Sequence, residues 1–152
     1  MDRLNQLLKM IDTSAEEERS LVDDLSAQER AQEGQVDAWS FKDYVADYTF
    51  WRQRLAENLA AIAAGRPAEW KEWYLEVEER DRLSFDTYRS TSLEEILAPS
   101  ETAVAKLKEA VRAVEPELQT IGFNPLPSQE EPLWLRSDPA YRQIYADLRA
   151  GA

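Results

Sequence analysis

Glu18 is a carboxylate on an otherwise apolar helical seam. Small or apolar residues recur at alternating steps of four and three from Leu4 to Leu25, and Glu18 breaks the series. A carboxylate buried on such a seam costs several kcal/mol unless it is paired. Two interpretations follow. Glu18 forms a structural salt bridge with an Arg or Lys of a neighbouring helix, or it faces a polar pocket in which it acts as an acid or base.

A second polar set falls on one face of the next predicted helix. Asp47, Trp51, Arg54 and Asn58 follow one another at steps of four, three and four residues. Arg54 is therefore a natural partner for Glu18 or Asp47. We take Glu18, Asp47 and Arg54 as the candidate catalytic residues. In the catalytic interpretation a carboxylate activates water, and Arg54 or Tyr48 stabilises the developing negative charge.

Composition restricts the chemistry and the partners. The chain has no histidine and no cysteine, so it offers no imidazole base, no thiolate nucleophile and no zinc–cysteine site. Its net charge of -12 disfavours nucleic acids and anionic membranes. The N-terminal residues show neither a signal peptide nor a membrane span, so we expect a cytoplasmic protein.

Aromatic residues are numerous enough to line a cavity between helices. In that interpretation they bind a flat or apolar ligand, and their tyrosine hydroxyls supply donors. At helical spacing, the same residues are also typical of a simple core. The candidate ligand-binding residues are Trp39, Tyr44, Tyr48, Trp51, Tyr141 and Tyr145.

The elements that position these side chains are all predicted to be helical. After the first helix, Ser26 with Glu29 predicts a short helical turn, and Ser40 begins a helix that stops before Gly65. Residues 68–89 indicate a helix that is irregular at one end. Ser92 begins a long helix that Pro99 should kink or split.

A proline-rich loop over residues 119–136 precedes a last helix that starts at Asp138-Pro139. No strand is predicted. The expected fold is all-α, an up-and-down four-helix bundle with an extra short helical segment, in a single domain over residues 1–152.

Two stretches resemble the DinB-like superfamily, with the ClbS/DfsB-type branch the most similar. The segment from Trp39 to Trp51 contains Trp-Ser-Phe-Lys-Asp and resembles the family's Trp-Ser-x-Lys-Asp opening of the second helix. The segment from Arg89 to Leu97 resembles the family's Arg-x-x-Ser-Leu-x-Glu-Val-Leu helix start. The resemblance implies a DinB/YfiT-like four-helix bundle, and a homodimer.

The resemblance also implies positions for a metal. Many members carry one histidine on the second helix and a His-x-x-x-His pair on the last. These positions correspond to Asp47, Gln143 and Asp147, so imidazole is replaced by oxygen-bearing side chains throughout. Such a set suits a hard divalent ion, Mg²⁺ or Mn²⁺, if it holds any ion. The alternative, which we favour, is a lost metal site with no cofactor.

Taken together, the sequence predicts a bundle that binds or transforms a small organic substrate in a central acidic and aromatic pocket. Glu18, Asp47 and Asp147 are expected to form the polar floor of that pocket. Whether a reaction occurs is left open, with hydrolase or transferase chemistry as the family's precedent. The alternative is a non-catalytic helical bundle that self-associates or binds a protein partner.

Overall fold

The structure is a computed structural model. It describes residues 3–67, 72, 75–114 and 150. Within these residues the chain is all-α: there is no strand, only an isolated antiparallel bridge between Gln35 and Ala38. The described helices are α1 (Arg3–Asp23), α2 (Ala27–Ala31), α3 (Phe41–Ala63), α4 (Val77–Thr87) and α5 (Leu93–Ala113).

Serine caps begin three of these helices, as the sequence predicts. Ser26 and Ser40 each form a reciprocal capping box, with Glu29 and Asp43 respectively, and the Ser92 hydroxyl accepts a hydrogen bond from the backbone N–H of Glu95. Each cap satisfies a backbone N–H that has no partner within the helix. Gly65 follows α3 with a φ of 72°, which is the left-handed conformation that glycine adopts most easily.

Pro99 lies inside α5 without dividing it. The helix is assigned continuously from Leu93 to Ala113, so of the two predicted effects of Pro99, a kink or a split, the split does not occur. Because proline has no backbone N–H, one hydrogen bond of the helix is missing at this point. The Ser92 cap and the burial of Leu93 and Ile96 hold the first turn in place.

Lys42 and Asp43 of the Trp-Ser-Phe-Lys-Asp segment have structural contacts. The buried Asp43 carboxylate accepts from the backbone N–H and the hydroxyl of Ser40, at 2.8 and 2.9 Å. The Lys42 ammonium donates to the backbone carbonyls of Tyr88 and Arg89, each at 3.2 Å, where α4 ends. This segment therefore starts α3 and ties it to the C-terminal end of α4.

Helix packing centres on α3. The most extensive helix pair is α3 with α5, while α1 packs against α5, and α4 packs against α3. The buried apolar side chains form two clusters. The first contains Leu7, Ile11, Phe50, Leu55, Leu107 and their neighbours, and the second contains Val22, Phe41, Val45, Leu93, Ile96 and theirs.

The predicted loop over residues 119–136 and the helix predicted from Asp138 lie outside the described residues. In the part of the chain that the structure describes, no helix has the length and apolar character needed to cross a membrane.

A polar cavity between three helices

A cavity of about 400 Å³ opens between α1, α3 and α5. Its apolar walls come from Ala15 and Val22 on α1 and from Leu97 and Val104 on α5. All four side chains are aliphatic, so the walls provide dispersion contacts without directional hydrogen bonds. The polar groups of the cavity are concentrated at its inner end and at its mouth.

The inner end holds a buried ion pair between Glu18 of α1 and Arg52 of α3. Arg52 Nη1 donates to Glu18 Oε2 at 2.8 Å, and the two side chains are 5–6% exposed. Both residues line the cavity. The short distance and the burial make this a charge-assisted hydrogen bond rather than a surface ion pair of small energetic value.

Two serine hydroxyls complete this polar layer. Arg52 Nη2 donates to Ser14 Oγ at 3.3 Å, and Ser100 Oγ of α5 donates to Glu18 Oε1 at 3.3 Å. Both serines are buried. Each of the three helices thus contributes a polar group at the level that separates the two apolar clusters. A buried polar layer of this kind can fix the register between helices, which is its purely structural interpretation.

Charged side chains surround the mouth. Arg19 of α1 lies 3.8 Å from Glu101 of α5, and these side chains are 62% and 71% exposed. Asp23 also lines the cavity. Because the Arg19–Glu101 pair is solvated, it contributes little to stability, but it bridges the two helices that flank the opening.

The polar end of the cavity presents hydrogen-bonding atoms to its interior. Glu18 and Ser100 both line the cavity. A carboxylate oxygen accepts hydrogen bonds, and a hydroxyl both donates and accepts them.

The prediction that Glu18 pairs with a basic residue of a neighbouring helix is confirmed, but the predicted partner, Arg54, is wrong. Glu18 does pair with an arginine of a neighbouring helix, but the arginine is Arg52. Arg54 contacts Glu57 and Glu72, at 3.2 Å each, and its guanidinium lies over the Phe50 ring. Two residues of helix correspond to about 200°, so Arg54 points away from the side of α3 that Arg52 presents to α1.

Asp47 belongs to a different buried group, between α3 and α4. Its Oδ1 accepts from the Trp51 indole N–H at 3.0 Å and from the Ser84 hydroxyl at 2.7 Å. Asp47 does not line the cavity that contains Glu18. The five residues from Asp47 to Arg52 correspond to about 140° around the helix, which separates the two groups. The predicted common floor of Glu18 and Asp47 is therefore not formed.

Hydrogen bonds to α3 and α4 side chains hold Asp47 in place. The Trp51 indole N–H and the Ser84 hydroxyl both donate to its Oδ1. No group of three or more acidic, histidine or cysteine side chains that could hold a metal occurs in the described ranges. Gln143 and Asp147, the other two positions implied by the resemblance, lie outside those ranges. We therefore derive no chemistry from a metal.

Four of the predicted aromatic ligand contacts lie in the described residues, and they pack into the protein. Trp51 and Tyr48 are buried, Tyr48 with the Arg52 guanidinium 5.9 Å from its ring centroid. Trp39 and Tyr44 form an edge-to-face pair with centroids 5.0 Å apart. These four residues do not line the cavity between α1, α3 and α5. The other two, Tyr141 and Tyr145, lie outside the described residues.

Comparison of the chain with protein-family models, with curated proteins and with solved structures gave no significant match. Its function therefore has to be inferred from its own residues and contacts.

Proposed function

We propose that this protein binds a small organic molecule in the cavity between α1, α3 and α5. The observation that supports this most strongly is the Glu18–Arg52 pair at the inner end of a space of about 400 Å³. Ligand sites in proteins typically enclose about 300–1,000 Å³ and combine apolar walls with a few polar groups that fix orientation. The aliphatic walls and the Ser100 hydroxyl match that description.

Catalysis is not required by this proposal. Glu18 is held by Arg52, and Asp47 and Arg54, the other two predicted catalytic residues, have contacts elsewhere. Arg52, Ser14 and Ser100 take their place as the polar groups around Glu18. The proposal is therefore for a binding site, with any reaction to be found only after a ligand is known.

A DinB-like four-helix bundle remains our proposal for the complete fold. It is supported by the three long helices α1, α3 and α5, and by the Ser40 cap where the family's motif begins. The fourth long helix of this proposal is the one that the sequence predicts from Asp138. A cytoplasmic location is likewise a proposal that rests on the sequence.

The binding proposal is tested with a variant that fills the cavity. Ala15→Leu adds three carbon atoms to a wall residue, and Ala105→Leu makes the same change at an exposed position of α5 that does not line the cavity. A library of small organic molecules is screened by ligand-observed NMR against the wild type, and each hit is then measured by calorimetry. We expect Ala15→Leu to weaken binding at least tenfold and Ala105→Leu to leave it unchanged. Equal binding by both variants would place the ligand elsewhere.

A second candidate function, self-association, is favoured by a groove on the other side of α5. It lies between α3 and α5, encloses about 670 Å³ and is open to solvent. Alanines make up much of its lining, namely Ala56, Ala60, Ala63, Ala64, Ala103, Ala110 and Ala113. Small side chains let another helix approach closely, and the rim offers both Lys106 and Glu109. Across a two-fold axis, such a pair of opposite charges can meet its copy reciprocally.

Sedimentation equilibrium separates this candidate from a monomer. If the groove is a dimer interface, the wild type sediments as a dimer and Ala60→Glu, which places a charge in the groove, sediments as a monomer. Ala105→Glu, on the exposed side of α5 and outside the groove lining, should leave the mass unchanged. A wild-type monomer throughout the micromolar range would exclude the groove as a stable interface.

A further inference from the structure

We infer that the ligand of the cavity between α1, α3 and α5 is an electrically neutral molecule that carries an amide-type group on an aliphatic body. An amide-type group here means a carbonyl with an adjacent N–H, as in a primary amide, a lactam or a urea. This inference rests on the proposed binding function and specifies the class of molecule.

Charge balance at the inner end of the cavity excludes an ionic head group. Glu18 and Arg52 neutralise each other at 2.8 Å, with side chains that are 5–6% exposed. An ammonium or carboxylate brought to this level would give the buried group a net charge of +1 or −1. A net charge at a buried site is strongly unfavourable, and one hydrogen bond does not offset it. A neutral ligand avoids that cost.

The inner end nevertheless requires a polar ligand, because it presents both kinds of hydrogen-bonding atom. Glu18 Oε1 accepts a hydrogen bond of 3.3 Å from Ser100, and a carboxylate oxygen has room for a further donor. Within the described residues, the Ser100 hydroxyl is held only by this long hydrogen bond, so it can rotate toward a carbonyl of the ligand. An amide N–H and an amide C=O lie side by side, and they match a neighbouring acceptor and donor. A hydrocarbon would leave these groups without partners.

The walls determine the rest of the molecule. Ala15, Val22, Leu97 and Val104 are aliphatic, and no aromatic ring is among the residues that line this cavity. An aliphatic body buries apolar surface against all four, and this removal of apolar surface from water favours binding. A planar ring system would find no stacking partner in this lining. The preferred ligand therefore has a saturated chain or ring attached to the amide-type group.

Three probes with the same tail and different head groups test the inference. Hexanamide, hexylammonium and hexanoate are titrated into the wild-type protein at pH 7, with affinities from calorimetry and contacts from ¹H–¹⁵N NMR spectra. We expect hexanamide to bind at least tenfold more tightly than either ion. Its shift changes should cluster at residues that line the cavity, and they should be lost in Ala15→Leu and retained in Ala105→Leu. Ser100→Ala, which removes one hydroxyl, should weaken hexanamide binding several-fold.

The outcomes distinguish this inference from the proposed function. If hexylammonium or hexanoate binds in the cavity as tightly as hexanamide, the neutral-ligand inference is overturned while the binding site stands. If none of the three probes binds, the amide inference is overturned, and the library screen with the Ala15→Leu variant still decides the proposed function. If hexanamide binds equally well to the Ala15→Leu variant, the probe occupies another site and the inference fails.

Discussion

Removing the guanidinium of Arg52 should destabilise the protein more than any change at the surface. In Arg52→Met the Glu18 carboxylate, 5% exposed, keeps only the Ser100 hydroxyl at 3.3 Å among the partners of this polar layer. Breaking a buried ion pair from one side typically costs about 3–5 kcal/mol. Since the pair borders a cavity that water can enter, we expect about 3 kcal/mol, the lower end of that range.

The size of this effect is large relative to the whole stability of a domain, which is about 5–15 kcal/mol. It corresponds to a fall in the midpoint of thermal unfolding of roughly 6–12 °C for a chain of this length. Urea unfolding followed by tryptophan fluorescence measures it directly. Arg19→Met is the matched control, because Arg19 pairs with Glu101 at 3.8 Å and is 62% exposed. The control should cost less than about 1 kcal/mol.

A double variant identifies the cause. Glu18→Leu combined with Arg52→Met replaces both charges by apolar side chains and should recover most of the lost stability, because no buried charge is left without a partner. If Arg52→Met is no more destabilising than Arg19→Met, the ion pair is not buried as described. If the double variant is as unstable as Arg52→Met, loss of packing rather than an isolated charge explains the effect.

Three further changes test the contacts that hold the helices in place. Gly34→Ala should cost about 1–3 kcal/mol, since a Cβ at Gly34 would overlap Oδ2 of Asp43 at the start of α3. Lys42→Met should cost about 1–3 kcal/mol, because the ammonium donates to two backbone carbonyls at the end of α4. Ser84→Ala should cost about 1–3 kcal/mol, since its buried hydroxyl donates to Asp47 at 2.7 Å. Urea midpoints measure all three.

Each of these has a control within the chain. Gly65→Ala meets no atom within 4 Å, so its cost comes from its φ of 72° alone and separates strain from overlap at Gly34. Lys9→Met changes an exposed lysine that lines neither the cavity nor the groove, and it should be nearly neutral. Thr87→Ala removes an exposed hydroxyl of α4 and should cost less than Ser84→Ala. Equal urea midpoints for Lys42→Met and Lys9→Met would show that the contact of Lys42 with the end of α4 does not stabilise the protein. Equal midpoints for Ser84→Ala and Thr87→Ala would show the same for the contact of Ser84 with Asp47.

The helices were predictable because their signals are local. Ser26, Ser40 and Ser92 cap helices that begin where the sequence predicts, and Gly65 follows the end of α3. Pro99 does not split α5, because a proline removes only one hydrogen bond and the packing of Leu93 holds the preceding turn against the core. Tertiary contacts of this kind are not visible in a local pattern.

Only part of the site is predictable from the sequence. Glu18 is recognisable as a charge on an apolar seam, but the polar face of Asp47 and Trp51 predicts Arg54 as its partner. The seam that matters on α3 runs through Tyr48, Arg52 and Leu55, at steps of four and three. Arg52 interrupts that seam just as Glu18 interrupts the seam of α1. Matching one anomalous charge on each of two seams would have identified the pair.

The serines were missed for a different reason. Ser14 and Ser100 lie at helical spacing from buried neighbours, Ser14 three residues after Ile11 and Ser100 four residues after Ile96. A serine is close to alanine in size, so it fits a buried position on such a seam without a clear signal in the sequence. Its burial is visible only when the three helices are packed together. Their hydroxyls gain significance from the ion pair that they contact.

Mapping a bound ligand onto the protein tests the central claim most directly. The wild-type protein is titrated with the tightest hit of the small-molecule screen while ¹H–¹⁵N spectra are recorded. Binding in the proposed cavity should shift the resonances of Ala15, Glu18, Arg52 and Ser100 first and most strongly, and leave those of the α3–α5 groove unchanged. Shifts confined to the groove residues, or a screen without hits on the folded protein, would contradict the assignment of this cavity as a binding site.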